Sequence, residues 1–135
     1  MNAKSKVLVV DDEPSVADAL RLILEEAGYE AVAVSTGSDG LVMLNNGAID
    51  LLITDLRLPD MSGLALLGRA AGQTANPPAI VITAFSSPEV TIEAQRLGAI
   101  AVLAKPFSPS TVLELVSRAL NVKEAKVSAD SIRES

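Results

Sequence analysis

Five short runs of strand-forming residues alternate with stretches of helical periodicity along this chain, and this alternation restricts its possible folds more than any other feature. The runs are VLVV at 7–10, EAVAV at 30–34, DLLIT at 50–54, AIVIT at 79–83 and IAVLA at 100–104. Strands that are separated by helices are joined by right-handed crossovers, which produce a mostly parallel sheet. Continuously apolar strands fit a sheet that is covered on both faces. The sequence therefore predicts an α/β fold with a doubly wound, five-stranded parallel sheet.

Proline, serine and glycine mark where the predicted helices begin and end. The first helix should begin near Pro14 and stop at Gly28, and Ser-Pro pairs at 87–88 and 108–109 should start two later helices. The side chains expected on the buried face of the first helix are Val16, Leu20, Ile23 and Ala27. Weaker helical stretches lie between strands two and three and between strands three and four. Together they predict five helices in a three-layer sandwich.

One folded domain accounts for the length and the apolar content of the chain. The chain has 135 residues, and 49% of them are apolar, which is enough for one sizeable core. The apolar pattern fades after Leu120, so we predict a folded domain at 1–121 and a polar tail or the start of a linker at 122–135. The sequence shows neither a signal-peptide pattern nor an apolar run of membrane-spanning length, so we expect a cytoplasmic protein.

The composition excludes several kinds of binding and catalysis. The formal net charge is −6 at pH 7, so we expect neither nucleic acid nor a membrane surface as a direct partner. The sequence contains no cysteine and no histidine, which excludes thiolate and imidazole metal sites and imidazole as a general base. Any metal ion must therefore be held by oxygen atoms.

Polar residues that suit a functional site follow the predicted strands. Asp11, Asp12 and Glu13 come after the first strand, Asp55 after the third, Thr83 ends the fourth, and Lys105 follows the fifth. Each has an ordinary explanation when taken alone, such as an acidic doublet that stabilises a helix N-terminus. The carboxyl ends of parallel strands share one edge, however, where ligands bind in open α/β sheets. With the flavodoxin-like strand order 2-1-3-4-5, strands one and three are neighbours, and the three aspartates form one acidic pocket.

The chemistry of this pocket follows from its charges. Three adjacent carboxylates either share protons or are neutralised by a cation, and Mg²⁺ fits because it prefers oxygen ligands in octahedral geometry. Phosphoryl transfer has a loose transition state that needs positioning and positive charge more than a base. Asp55 would then be the nucleophile, Mg²⁺ and Lys105 would neutralise developing charge, and the Thr83 hydroxyl would donate to a phosphoryl oxygen.

The chain closely resembles the receiver domain of bacterial two-component response regulators. The segments that carry the resemblance are VLVVDDEPS at 7–15, LLITDLRLPDMSG at 51–63, VITA at 81–84 and GAIAVLAKPF at 98–107. The resemblance extends from Val7 to about Asn121. It includes the acidic doublet, the pattern D-x-x-x-P-x-x-x-G from Asp55 to Gly63, the threonine at a strand end and the Lys-Pro pair at 105–106.

The resemblance implies an acceptor, a metal site and a donor. Asp55 would be phosphorylated from the phosphohistidine of a sensor histidine kinase or a phosphotransfer protein. Asp12 and Asp55 would bind Mg²⁺ directly, Asp11 mainly through water, and Arg57 through its backbone carbonyl. Such a domain is a regulatory phospho-acceptor that assists only its own phosphorylation and dephosphorylation, and it is not a conventional enzyme.

The resemblance also implies a conformational switch. Lys105 would pair with Asp55 before phosphorylation and with the phosphoryl group afterwards, while Thr83 would move toward that group. Ala84 would leave access to the site, and a cis peptide bond before Pro106 would aim the Lys105 side chain inward. Val102 departs from the family, which often has tyrosine or phenylalanine at this position, so the aromatic half of the switch is missing.

Output in this family usually passes through the face made by the fourth helix, the fifth strand and the fifth helix. That face would contact an output domain or a target protein, or form a homodimer. Expected core positions on the two helices are Val90, Ala94 and Leu97 and then Val112, Leu113, Val116 and Leu120. Ile92 and Leu115 would point away and are our candidates for a partner surface, although isolated exposed apolar residues are also common without a function.

Two other functions remain open at this point. A phosphatase of the haloacid dehalogenase type also uses Mg²⁺ and an aspartate nucleophile, but it requires D-x-D, whereas this chain has Asp11-Asp12 and Asp55-Leu56-Arg57. A receiver-like module that serves only as an interaction surface is the second alternative. The complete set of acceptor residues argues against it, while Val102 leaves room for a domain that is phosphorylated and switches poorly.

Overall fold

Strands and helices alternate along the computed structural model, which describes the backbone of residues 4–71 and 76–134 and the side chains of residues 4–70 and 76–121. The elements in chain order are β1 (Lys6–Val10), α1 (Pro14–Glu26), β2 (Glu30–Val34), α2 (Gly37–Asn46), β3 (Leu51–Asp55), α3 (Gly63–Ala71), β4 (Ala79–Thr83), α4 (Pro88–Arg96), β5 (Ala99–Ala104) and α5 (Pro109–Glu134). All five predicted strands are present, and each begins and ends within one residue of the predicted position.

The strands form one parallel sheet in the order β2-β1-β3-β4-β5, as predicted. Strand β1 lies inside the sheet, where Val9 is in register with Ala33 of β2 and Ile53 of β3. The carboxyl ends of β1, β3, β4 and β5 consequently meet at one edge. Parallel pairing with helical crossovers explains why these strands are continuously apolar, because both of their faces are covered.

The sheet separates two apolar layers, and alternate residues of each strand belong to different layers. In β1, Leu8 and Val10 face the layer that contains α2, α3 and α4, while Val7 and Val9 face the layer that contains α1 and α5. All four of these side chains are fully buried. Burial of each such aliphatic side chain contributes about 1.5–3 kcal/mol, so β1 is a main source of stability.

The N-termini of α4 and α5 are capped as the Ser-Pro pairs predict. Ser87 Oγ accepts a hydrogen bond from Val90 N at 3.2 Å, and Ser108 Oγ accepts one from Thr111 N at 3.2 Å. Helix α1 ends at Glu26, followed by a left-handed residue, Gly28, with φ of +96°. Glycine adopts this conformation without the steric cost of a Cβ atom, which explains the predicted stop.

The predicted buried face of α1 is partly wrong. The buried side chains are Ala17, Leu20 and Leu24. Val16 and Ile23 are half-buried and pack beside them, while Ala27 is exposed because it lies beyond the last helical turn. The centre of the buried face is thus rotated by about one residue from the predicted one.

The predicted orientation of Leu115 on α5 is wrong. Leu115 packs against the layer of α1 and α5 and lines an enclosed apolar space together with Leu103 and Val112. Val112, Leu115, Val116 and Ala119 follow the spacing i, i+3, i+4, i+7 of a single helical face, which explains this packing. Leu115 is thus half-buried against the core, and its part in a partner surface stays a prediction.

Helix α5 continues through Glu134, so part of the predicted tail is helical. The side chains of residues 122–135 lie outside the described residues, and the division at 121 stays a prediction. Among the described residues, no helix combines the length and the apolar character needed to cross a membrane.

Candidate functional site

The fold brings the predicted polar residues together at the carboxyl edge of the sheet. Asp11 follows β1, Asp55 is the last residue of β3, Thr83 is the last residue of β4, and Lys105 follows β5. We call the opening at this edge the strand-end cleft. Its volume is about 220 Å³, and its lining residues are Asp12, Glu13, Asp55, Arg57, Thr83, Ala84, Phe85 and Lys105.

Three carboxylates converge at the base of this cleft. One oxygen atom of each of Asp11, Asp12 and Asp55 lies within 4.8 Å of the other two. Asp11 and Asp55 are buried, while Asp12 is exposed. Burial raises the pKa of Asp11, and the nearby charge of Asp55 adds to the increase, although a hydrogen bond from Glu13 N at 2.9 Å opposes it. The arrangement therefore concentrates negative charge where solvation is poor.

This acidic cluster fits a hard divalent cation. Its donors are carboxylate oxygens, which Mg²⁺ prefers, and the exposed Asp12 leaves one side open to water ligands. Asp11 Oδ2 is buried and makes no hydrogen bond among the residues that the structure describes, although the Lys105 ammonium lies 3.2 Å away as an ion-pair partner. A buried carboxylate oxygen with an ion pair as its one polar contact can accept a further cation or an ordered water. The residues present thus suit a magnesium site.

The Lys105 ammonium group lies among three acidic side chains. Its Nζ atom is 3.1 Å from Asp55 Oδ2, 3.2 Å from Asp11 Oδ2 and 3.0 Å from Glu13 Oε1. Burial lowers the pKa of Lys105, but the hydrogen bonds to Glu13 and Asp55 and the charge of Asp11 outweigh it and raise the pKa. Lys105 is therefore fully cationic and balances part of the negative charge. The peptide bond between Lys105 and Pro106 is cis, as the resemblance implies.

The loop after β3 fixes the backbone around Asp55. Asp55 Oδ1 lies 3.4 Å from Arg57 N, Arg57 forms an isolated antiparallel bridge with Ser62, and Gly63 N donates to Leu56 O at 2.6 Å. A Cβ atom on Gly63 would lie only 2.1 Å from the carbonyl oxygen of Asp55. Only glycine fits this approach, which explains the last position of the pattern that begins at Asp55.

Asp60 connects the same loop to the N-terminus of α2. Its Oδ1 atom accepts from Gly37 N at 2.8 Å, and its Oδ2 atom accepts from Ser38 N at 2.9 Å and Ser38 Oγ at 2.8 Å. These hydrogen bonds, that of the Ser38 hydroxyl foremost, lower the pKa of Asp60 to about 2. We call this set of contacts the Asp60 bridge. It satisfies amide groups that a helix N-terminus otherwise leaves free.

The residues after β4 form the other rim of the strand-end cleft. Thr83 is buried, and its Oγ1 atom accepts a hydrogen bond from Phe85 N at 2.9 Å. The Phe85 ring is exposed, and its centroid lies 4.6 Å from Cζ of Arg57. This distance is that of a cation–π contact. Ala84, which stands between Thr83 and Phe85 in the sequence, is exposed. Val102 of β5 is half-buried against the layer of α2, α3 and α4.

The structure brings together the six residues that the sequence analysis placed at strand ends: Asp11, Asp12, Glu13, Asp55, Thr83 and Lys105. Three contacts were missed: Glu13 with Lys105, Asp60 with α2, and Arg57 with Phe85. Glu13 carried one recognisable signal, because glutamate is unusual at an N-cap position. For Asp60, the signal was an aspartate in the turn sequence LPDMSG at 58–63, where no basic residue stands beside it. For Arg57 and Phe85, sequence spacing offers no signal.

Comparison with protein families identifies the domain. The family model described as response regulator receiver domain matches residues 7–117. Response regulator protein FleR of Pseudomonas aeruginosa is 36% identical over 114 residues, covering 84% of this chain and 24% of that protein. Transcriptional regulatory protein ZraR of Salmonella typhimurium is 32% identical over 120 residues, covering 89% of this chain and 27% of that protein. The chain thus spans about a quarter of the length of these relatives.

Solved structures agree with the family match. A CheY-like response regulator receiver domain protein from Methanospirillum hungatei superposes with a TM-score of 0.87 at 31% identity, covering 92% of this chain and 99% of that one. NtrX from Brucella abortus superposes with a TM-score of 0.90 at 28% identity, covering 97% of this chain and 30% of that one. The chain therefore belongs to the response regulator receiver domain family and is a regulatory phospho-acceptor domain of two-component signalling.

Proposed function

We propose that Asp55 is the phosphorylated residue and that the reaction depends on Mg²⁺. The observation that carries the proposal is the position of the Asp55 carboxylate, which lies in the acidic cluster and 3.1 Å from the Lys105 ammonium group. The proposed protein ligands of Mg²⁺ are Asp12 and Asp55 directly, Asp11 mainly through water, and the backbone carbonyl of Arg57. Bound Mg²⁺ would supply positive charge that neutralises the oxygens of the transferred phosphoryl group.

Three side chains of this domain, those of Asp55, Lys105 and Thr83, carry out the other parts of phosphoryl transfer. A carboxylate oxygen of Asp55 forms the new bond to phosphorus as the P–N bond of phosphohistidine breaks, and the imidazole leaves with the bonding electrons. Lys105 neutralises negative charge on the phosphoryl oxygens. The Thr83 hydroxyl accepts from Phe85 N at 2.9 Å but retains its own hydrogen for a phosphoryl oxygen. Apart from this reaction on itself and its reversal by hydrolysis, the domain needs no catalytic activity.

The partners we propose follow from the family. A sensor histidine kinase or a phosphotransfer protein supplies the phosphoryl group, and an output domain or target protein receives the signal in the cytoplasm. A homodimer through the face of α4, β5 and α5 is one form of output. Ile92 on α4 is 65% exposed and belongs to that proposed face, while Leu115 on α5 is half-buried and offers it less exposed surface.

The alternatives are less well supported. The site has no D-x-D arrangement at its nucleophile, which a haloacid dehalogenase-type phosphatase requires. An interaction module without phosphorylation would not need the acidic cluster, the buried Thr83 and the Lys105 contacts in one cleft. The small Val102 affects how phosphorylation is converted into a conformational change, and it does not remove any acceptor group.

The test is labelling with a small phosphoryl donor. Incubation with phosphoramidate and Mg²⁺ should add one phosphoryl mass to the intact protein, and chelation of Mg²⁺ should prevent the gain. Asp55→Asn should abolish labelling, while Asp18→Asn, which removes the same charge from the exposed side of α1, should not. Full labelling of Asp55→Asn would show that another residue is the acceptor.

A further inference from the structure

Glu13 is at the N-cap position of α1, but its side chain does not cap the helix. It is the N-cap residue of α1, with φ of −88° and ψ of 110°, and its side chain makes no capping hydrogen bond. Serine, threonine, aspartate and asparagine stabilise this position by about 1 kcal/mol because their short side chains reach the free amides of the first turn. Glutamate at the N-cap of α1 therefore forgoes a local stabilising contact.

The Glu13 side chain instead contacts Lys105, which is 92 residues away in the sequence, with an Oε1 to Nζ distance of 3.0 Å. Its backbone is held in place, because Glu13 N donates to Asp11 Oδ1 at 2.9 Å and Glu13 O accepts from Val16 N and Ala17 N. The side chain is 58% exposed, compared with 13% for Lys105 and 0% for Asp11. Glu13 is thus the solvent-exposed acidic contact of the ammonium group, whereas Asp11 and Asp55 are buried.

The negative charge around Lys105 makes these contacts competitive. The ammonium group donates to Glu13 and Asp55 and lies 3.2 Å from Asp11 Oδ2, so three carboxylates already surround it. A phosphoryl group attached to Asp55 adds further anionic oxygens beside the same ammonium group. Asp11 and Asp55 are buried and cannot turn into water, but the exposed carboxylate of Glu13 can.

We infer that Glu13 is a positioning residue for Lys105. Before phosphorylation, Glu13 holds the Lys105 ammonium group toward the opening of the strand-end cleft, and the phosphoryl group then displaces the Glu13 carboxylate. The inference rests on the proposed function of Asp55. Displacement is helped by charge, since a phosphoryl group and the Glu13 carboxylate are both anionic and share the same cleft. The Glu13–Lys105 pair therefore favours the unphosphorylated state of the domain.

Binding of beryllofluoride, an anionic mimic of the phosphoryl group, in saturating Mg²⁺ tests this inference without requiring a kinase. Glu13→Gln removes the pair that must break, so it should bind the mimic about two- to fivefold more tightly than the wild type, as expected for one partly exposed ion pair. Glu26→Gln makes the same chemical change at an exposed position at the end of α1 and should bind like the wild type.

A second variant separates contact from charge. Glu13→Asp keeps the negative charge, loses one methylene of reach and introduces a favoured N-cap residue. It should also bind the mimic more tightly than the wild type, because the contact with Lys105 is lost. Binding equal to the wild type in Glu13→Asp would assign the effect to charge alone and overturn the positioning role.

The failure of this inference can be distinguished from the failure of the proposed function. If the wild type and Glu13→Gln bind the mimic equally tightly, or if the variant binds more weakly, Glu13 does not hold Lys105 back, while Asp55 remains the proposed acceptor. If neither protein binds the mimic, the acceptor site itself is wrong and the inference falls with it.

Discussion

Replacement of Gly63 by alanine tests the close approach that fixes the backbone at Asp55. The added Cβ atom would lie 2.1 Å from the carbonyl oxygen of Asp55 and 3.0 Å from its carbonyl carbon. Cβ contacts below 3.0 Å essentially do not occur, so the first turn of α3 must move away from the end of β3 by most of 1 Å. The obstructing atoms belong to the backbone of a buried strand and cannot rotate away.

The expected change in the free energy of unfolding of Gly63→Ala is the sum of two opposing contributions. Inserting a group into a closely packed site costs about 1–3 kcal/mol, and the backbone contact here places Gly63→Ala at the upper end of that range. Alanine recovers about 1 kcal/mol because it is a better helix former than glycine. The free energy of unfolding should therefore fall by about 2 kcal/mol.

Urea denaturation measures this difference, and α3 provides a matched control. With a denaturant slope of about 2 kcal/mol per molar urea, the midpoint of Gly63→Ala should lie about 1 M below that of the wild type. A Cβ on Gly68 would have a single neighbour within 4 Å, a Leu97 methyl carbon at 3.9 Å. Gly68→Ala should therefore raise the free energy of unfolding by about 0.5–1 kcal/mol. If both variants are stabilised equally, the approach of α3 to Asp55 does not require glycine.

Two further substitutions test the contacts at the N-termini of α2 and α4. Because the pKa of Asp60 is lowered to about 2 in the folded state, its stabilisation is complete above the ordinary value of 3.8 and is lost as the pH falls toward 2. The melting temperature of the wild type should therefore exceed that of Asp60→Asn near neutral pH, and the difference should shrink below about pH 4; a constant difference would argue against an ionised Asp60 bridge. Ser87→Ala removes the cap that binds Val90 N, so it should cost about 1 kcal/mol, seen as a melting temperature about 4 °C lower, whereas Ser86→Ala should show no comparable loss.

The fold was predictable because each strand carries its own signal. Side chains of β1 such as Leu8 and Val9 are buried on opposite faces of the sheet, so the whole strand is apolar and stands out from the amphipathic helices. The residues at the strand ends were predictable for a related reason. Once the strand order is inferred, the shared edge places Asp55 and Lys105 together although 50 residues separate them.

The orientation of α5 was harder to predict because apolar residues cover a wide arc of this helix. Val112, Leu113, Leu115 and Val116 are all apolar, and spacing alone permits more than one buried face. In the structure the half-buried Leu115 packs toward Leu103 of β5, and this choice depends on how the helix packs across the sheet. A tertiary contact thus decides between faces that the sequence leaves nearly equal.

The contacts of Glu13 and Asp60 were not predictable from spacing. Glu13 reaches across 92 residues, and Asp60 reaches back 22 and 23 residues to two amides of α2. Neither distance corresponds to a helical or strand period, so no repeating pattern marks the partners. Charged side chains at turns usually remain in water, and only the arrangement of the loops brings these two to their partners.

The Asp60 bridge makes the loop after Asp55 a mechanical connection to α2. A displacement of the loop that carries Asp60 with it must either pull the first turn of α2 along or expose the amides of Gly37 and Ser38 to water. Hydrogen–deuterium exchange at these two amides would register either event. Helix α2 packs against β1, which is three strands away from β5 in the sheet. Exchange at the two amides of α2 would therefore report movement of the loop at a place remote from the proposed output face.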